Sequence, residues 1–393
     1  MKEYLTKKFK SSNNILELVE KNKNFVIINK SIRNPGIDSV RVLAMFGIII
    51  SHLLMHGKAI RKYYMHDKLN LFNSFLFWHI NGYCLISGIV GYKSYKYSNL
   101  LYLWFCVVFY SVSINLLYKI YKFQAINNVK LYYEFFPIIF NRYWYFTTYF
   151  GMYLFLPVIN KGIENLSKSD LKRLIISLYS LYIIWHDSLN YNSDIFKMYK
   201  GKSILWFIIL YITGGYIGKY NIYNNENKNN FFYLITIFIF ICSSLLCYYL
   251  PRYNVAKINI NYFKIIIYIK KLYNLRYNGL PLNLQAISIV LFLINIKYNK
   301  YIAKIIIFLG RLTFGVYLIH DNKIIRNDVI KHLFDHDDNK LSLYSTLILL
   351  LFKSLKIFFL CIIIDYIRNF FFSICKIRQL CKIIEKTLIN KII

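Results

Sequence analysis

The feature that most limits what this chain can fold into is a series of apolar stretches. Each is near the roughly 20 residues a bilayer core requires, and each is apolar on every side. They fall at about 38–57, 72–92, 99–121, 143–160, 172–189, 203–219, 231–250, 280–296, 303–321 and 343–367. A soluble helix of such length keeps a polar face toward water; these do not. The expected fold is all-α, a polytopic membrane bundle of about ten transmembrane helices. An even number of crossings leaves both termini on one side. The tails are basic, with eight Lys and Arg before Asp38 and six from Arg368 on, which places both in the cytoplasm. The chain then divides into a polar basic tail over 1–36, a transmembrane domain over 37–367 and a basic tail over 368–393. The first 36 residues hold no signal-peptide core, so the first apolar stretch is retained as a helix. Segment 256–275 is apolar but carries Lys257, Lys264, Lys270 and Lys271, so it is expected to be an interfacial or partly inserted helix; if it spans, the crossings become eleven and the C-terminus moves to the other side.

The formal net charge is +32. Most of that charge flanks apolar segments, where anionic headgroups are the natural partners. Membrane lipids are therefore expected partners. Nucleic acid is not, because no basic patch is joined to a soluble nucleic-acid fold. Seven cysteines stand at 84, 106, 242, 247, 361, 375 and 381. Their number is odd, no CxxC occurs and most lie inside apolar runs, which argues against a disulfide framework or a zinc site.

Chemistry must then come from ionisable groups inside the bundle. The stretch "IDSVRVLAMFGIIISHLLMHG", 37–57, carries Arg41 and His52 with ten uncharged residues between them. Eleven positions are about three helical turns, so both side chains share one face, roughly 16 Å apart along the axis. Intramembrane ionisable groups are costly and mark functional sites. His56 follows His52 at i+4, but nothing nearby supplies a credible third ligand, so no metal is expected. In "FWHINGYCLISGIVGYK", 77–93, His79 lies near the outer end and Ser87 near the inner end, with Lys93 and Lys96 at the inner rim. In "GRLTFGVYLIHDN", 310–322, Arg311 opens the run and His320 reaches the outer rim. Lys353 and Lys356 stand in mid-run on one face of the last span, where either a cavity or anionic partner, or a long tilted helix whose lysines reach an interface, is expected.

Four segments in register resemble one family. The Arg, ten residues, His arrangement in "RVLAMFGIIISH" is similar to the first-helix signature of the membrane acyltransferase-3 family. "LISGIVGYK", "YWYFTTYFGMYLFLPVIN" (143–160) and "LTFGVYLIHDN" (312–322) resemble its later signatures in the same order. The resemblance covers about residues 37–367, and the nearest branch looks like the sugar and polysaccharide O-acetyltransferases without a soluble domain. It implies a ten-helix enzyme of the inner or plasma membrane. Such an enzyme takes an acyl group, usually acetyl, from cytoplasmic acetyl-CoA and passes it to a hydroxyl of a surface or lipid-linked glycan. His52 matches the family's essential histidine and Arg41 its partner arginine. Many members carry R-x-x-R before the third helix; here Lys93 and Lys96 keep that spacing without the bidentate guanidinium.

The residues fit that chemistry on physical grounds. A sugar hydroxyl attacks only when a base takes its proton, and imidazole, with a reference pKa near 6.5, suits that task. CoA is rich in phosphate, so Arg41, Lys93, Lys96, Ser87 and Arg311 are the candidate donor contacts on the inner side. His320 and His79 are candidate acceptor contacts on the outer side. His52 acts as general base or as a transient acyl carrier. The competing function is a transporter or flippase for a lipid-linked or anionic solute, which also needs many spans and a few buried cations. It lacks support from inverted repeats or matched broken helices.

Overall fold

A computed structural model describes residues 26–28, 31–62, 66–122, 128–185, 194–222, 230–252, 276–335 and 341–392. Segment 256–275, for which an interfacial helix is expected, lies outside them. The described residues are helical apart from a short antiparallel ribbon, β1 (Val26–Ile28) with β2 (Ser31–Arg33), in which Val26 faces Arg33.

Among the described residues, six helices are long and apolar enough to cross a membrane. They are α1 (Pro35–Met55), the pair α2 (His66–Ser74) and α3 (His79–Gly91) read as one run, α4 (Tyr97–Tyr121), the Asn230–Tyr249 part of a later helix, Lys300–His320 and Leu343–Ile374. The protein is a multi-pass membrane protein. Two further expected spans form shorter apolar helices, Ile204–Lys219 and Leu280–Asn295. The remaining two are broken. The 143–160 stretch splits into α5 (Trp144–Leu154) and α6 (Leu156–Asn165), because Pro157 has no N–H to continue the first helix. The 172–189 stretch begins as the helix Lys168–Tyr179, loaded with Lys168, Asp170, Lys172 and Arg173, and passes into a π-helical segment at Ser180–Trp185.

The later helices complete the bundle: α7 (Ile204–Lys219), α8 (Asn230–Arg252), α9 (Leu280–Asn295), α10 (Lys300–His320), α11 (Leu343–Ile374) and α12 (Ile377–Ile392). Helix α11 runs past 367, and Lys376, with φ of 53°, turns the chain into α12. The expected C-terminal tail is thus largely helix.

Two apolar cores hold these elements. One gathers around Trp206, Phe207 and Leu210 of α7, with Leu85 of α3 and Val290 of α9. Helices α3 and α7 touch backbone to backbone: a Cβ on Gly88 would overlap the Tyr211 carbonyl, and one on Gly214 would overlap that of Leu85. Small residues are what allow helices to approach so closely in a membrane. The second core joins α1 to α4, α10 and α11 through Ile49, Leu53, Val107, Val316 and Phe358. Helix α1 belongs to both. Asn34 caps it by accepting from the Gly36 N–H at 2.7 Å, and Pro35 opens the first turn, where no N–H is needed. That cap fixes where α1 starts, and so which of its faces meets α3 and α10.

Candidate active site

One stripe of α1 lines two cavities in succession. Ile37, Asp38 and Arg41 face a cavity of about 1040 Å³; Met45, Ile48, Ser51, His52, Met55 and His56 face a second of about 320 Å³. Tyr83 of α3, Tyr145 of α5 and Phe314 of α10 line both, so the two chambers meet on these three rings. The Tyr83 hydroxyl donates to the Arg41 carbonyl at 2.7 Å, which ties the collar to α1.

The larger cavity is basic. Arg33, Arg41, Arg311, Arg368 and Arg378 line it. Asp38, wholly buried, accepts from Arg33 Nε at 2.6 Å and Nη2 at 2.7 Å, and from Arg41 Nη1 at 2.5 Å. It fits there because residue 310 is glycine: a Cβ at that position would stand 2.7 Å from the Asp38 Oδ1. Arg368 is buried against Asp365. Its Nη2 reaches both carboxylate oxygens, at 2.7 and 2.9 Å, while Nη1 donates to the Tyr102 hydroxyl at 2.9 Å. Tyr110 donates to the same Asp365 at 2.8 Å. Both buried carboxylates are therefore satisfied by paired, hydrogen-bonded cations, the condition under which buried charge is tolerable.

The smaller chamber is mostly apolar, with a few convergent polar groups, the usual make-up of a small-molecule site. His52 Nδ1 stands 3.7 Å from Asp321 Oδ1, an ion-pair separation longer than a hydrogen bond. Arg326 Nη1 approaches the same oxygen at 3.2 Å. The His320 ring lies 5.1 Å from that of His52, and the His56 ring 5.0 Å. His320 Nδ1 is 2.7 Å from the Val316 carbonyl. A carbonyl only accepts, so that nitrogen carries the proton and the lone pair is on Nε2. His79 is buried, lines the chamber, and among the described residues neither ring nitrogen has a hydrogen-bond partner. Trp144 stacks on Tyr277 at 6.1 Å, and Lys202 Nζ sits 5.0 Å over the Trp144 ring. Outside the spans, burial pushes the Asp321 carboxyl up to about 6, with Arg326 pulling it back. Burial, then Arg326 and Lys202, lowers His56.

The expected residues divide as follows. Arg41, Ser87 and Arg311 line the larger cavity, and His52 and His79 the smaller. His320 packs on His52 without being part of the wall. Lys93 and Lys96 stand outside both cavities and are exposed, because the chain leaves α3 at Tyr92 and turns away; Lys93 lies over the Tyr92 ring. The cations that line the larger cavity are arginines instead. Lys353 lines neither of these two cavities: it donates to the Leu333 carbonyl at 2.7 Å and covers the Phe334 ring, while Lys356 is exposed. Asp38 was readable three residues before Arg41. Asp321, Lys202, Arg368 and Arg378 carry no mark of a site in the sequence, since each meets it only through tertiary packing.

A family model described as an acyltransferase domain matches residues 34–366. No curated protein and no solved structure matches the chain.

Proposed function

The chain belongs to the acyltransferase-3 family, and from that premise we propose that it is an O-acyltransferase of the cell membrane, moving acetyl from a CoA thioester to a hydroxyl of a surface or lipid-linked glycan. The observation that carries this reading is the continuity of the two chambers. A polyanion site and an imidazole chamber open onto one aromatic collar, with Arg41 and His52 on the same stripe of one helix.

The phosphates of the donor lie among the arginines, which offer bidentate donors. The separation of about 16 Å between Arg41 and His52 is of the order of an extended pantetheine arm. The thioester then emerges beside His52. The glycan hydroxyl attacks the thioester carbonyl carbon while His52 takes its proton. The tetrahedral adduct collapses, the C–S bond breaks, and the imidazolium returns the proton to the departing thiolate. Asp321, close to Nδ1, holds the ring and stabilises its positive form; Trp144 and Tyr277 give the acceptor a flat apolar floor. The apolar wall keeps water from the thioester.

The test uses purified full-length protein in lipid nanodiscs with acetyl-CoA and a glycan acceptor. Release of CoA thiol that depends on the glycan is expected, and His52→Ala should cut kcat by about 10²- to 10⁴-fold with the protein still inserted. A protein that moves glycan across vesicles and releases no thiol would be a transporter instead.

A further inference from the structure

The family-matched region ends at residue 366, yet Arg368, Asn369 and Arg378 beyond it line the larger cavity. The arginines there are not equivalent. Arg368 is saturated: Nε and Nη2 are spent on Asp365, and Nη1 on the Tyr102 hydroxyl and the Cys106 sulfur. Arg33 and Arg41 share Asp38. Arg311 is exposed and, among the described residues, has neither a hydrogen bond nor an aromatic ring to orient its guanidinium. Arg378, on the first turn of α12, is held only by stacking, its guanidinium 4.1 Å from the centroid of the Tyr102 ring. Among the described residues no hydrogen bond engages its N–H groups. The stack itself is built from below, because the Tyr102 hydroxyl is the one that Arg368 grips. Arg378 is therefore an oriented, exposed and uncommitted guanidinium at the mouth of a polyanion cavity.

We infer that Arg378 binds the 3′-phosphate of the CoA donor, so that the C-terminal helix is a specificity element of the active site. The inference rests on the CoA reading above and deepens it. With the thioester at His52, the pyrophosphate falls near Arg41 and Arg33, three turns away. The phosphorylated ribose must then lie further out, toward the mouth, where Arg378 waits. A guanidinium takes a phosphate through two parallel N–H bonds, which an ammonium cannot copy. Tyr102 is the positioning residue: it presents the guanidinium and touches no donor atom.

The measurement compares acetyl-CoA with 3′-dephospho-acetyl-CoA as donors for the full-length enzyme, its Arg378→Ala form and its Arg378→Lys form. The wild type should show a KM for the dephospho donor roughly 10- to 100-fold above that for acetyl-CoA, as expected for a charge-assisted contact. Arg378→Ala should bring that ratio close to one by raising the acetyl-CoA KM, with kcat unmoved. Arg378→Lys should recover part of it. If the ratio survives in Arg378→Ala, or is already one in the wild type, the assignment is wrong while the CoA reading stands. If the wild type accepts no CoA thioester, the donor reading fails and this assignment with it.

Discussion

At the scale of single residues the candidate site depends on charges buried in a mostly apolar bundle or at its rim. Asp321 gives the sharpest handle. Its carboxyl, raised by burial to about 6, is charged above that pH and neutral below it. Support for a cationic His52 is therefore present above pH 6 and fades as pH falls through it. The kcat profile should show a step near pH 6, and Asp321→Asn should be about tenfold slower at pH 7.5 and lack that step. A step that persists in the variant belongs to another group. Arg41 and His52 were visible in the sequence because an apolar run isolates them. Asp321 was not, since its partner comes from another helix. Arg378 was hidden for the opposite reason: in a basic tail every cation resembles a lipid anchor. Lys93 and Lys96 had the right spacing, but spacing does not say which way a chain turns after its helix ends.

Among elements, the α3–α7 contact sets the position of the collar, because Tyr83 rides on α3 and Trp206 of α7 donates to Asn81 of α3 at 3.4 Å. The contact has no room for a methyl group at Gly88. Gly88→Ala should cost about 1–3 kcal/mol, the range for an overpacked interior, and lower the thermal midpoint in detergent before it changes any catalytic residue. A variant as stable as wild type would show that the helices part without loss. Most helix positions could be read from hydropathy, but the 143–160 stretch reads as one span by hydropathy alone, and the structure breaks it at Pro157. The inward turn of α12 could not, since a short amphipathic helix looks alike whether it lies on lipid or over a cavity.

On the scale of the whole molecule, the two ends of the chain converge: Arg33, just before α1, and Arg378, after α11, line one cavity. Reporters fused at the N- and C-termini should therefore respond to reagents on the same face of the membrane, and the basic tails predict that this face is the cytoplasmic one. Opposite labelling would require a different number of crossings from the ten expected. The two chambers also have a consequence for the cell that holds them. Under the proposed function, an arm threaded through a collar of three rings would deliver only acyl carbons from an inner carrier to an outer sugar, so that a cell would decorate its exterior from an internal store without opening a pore.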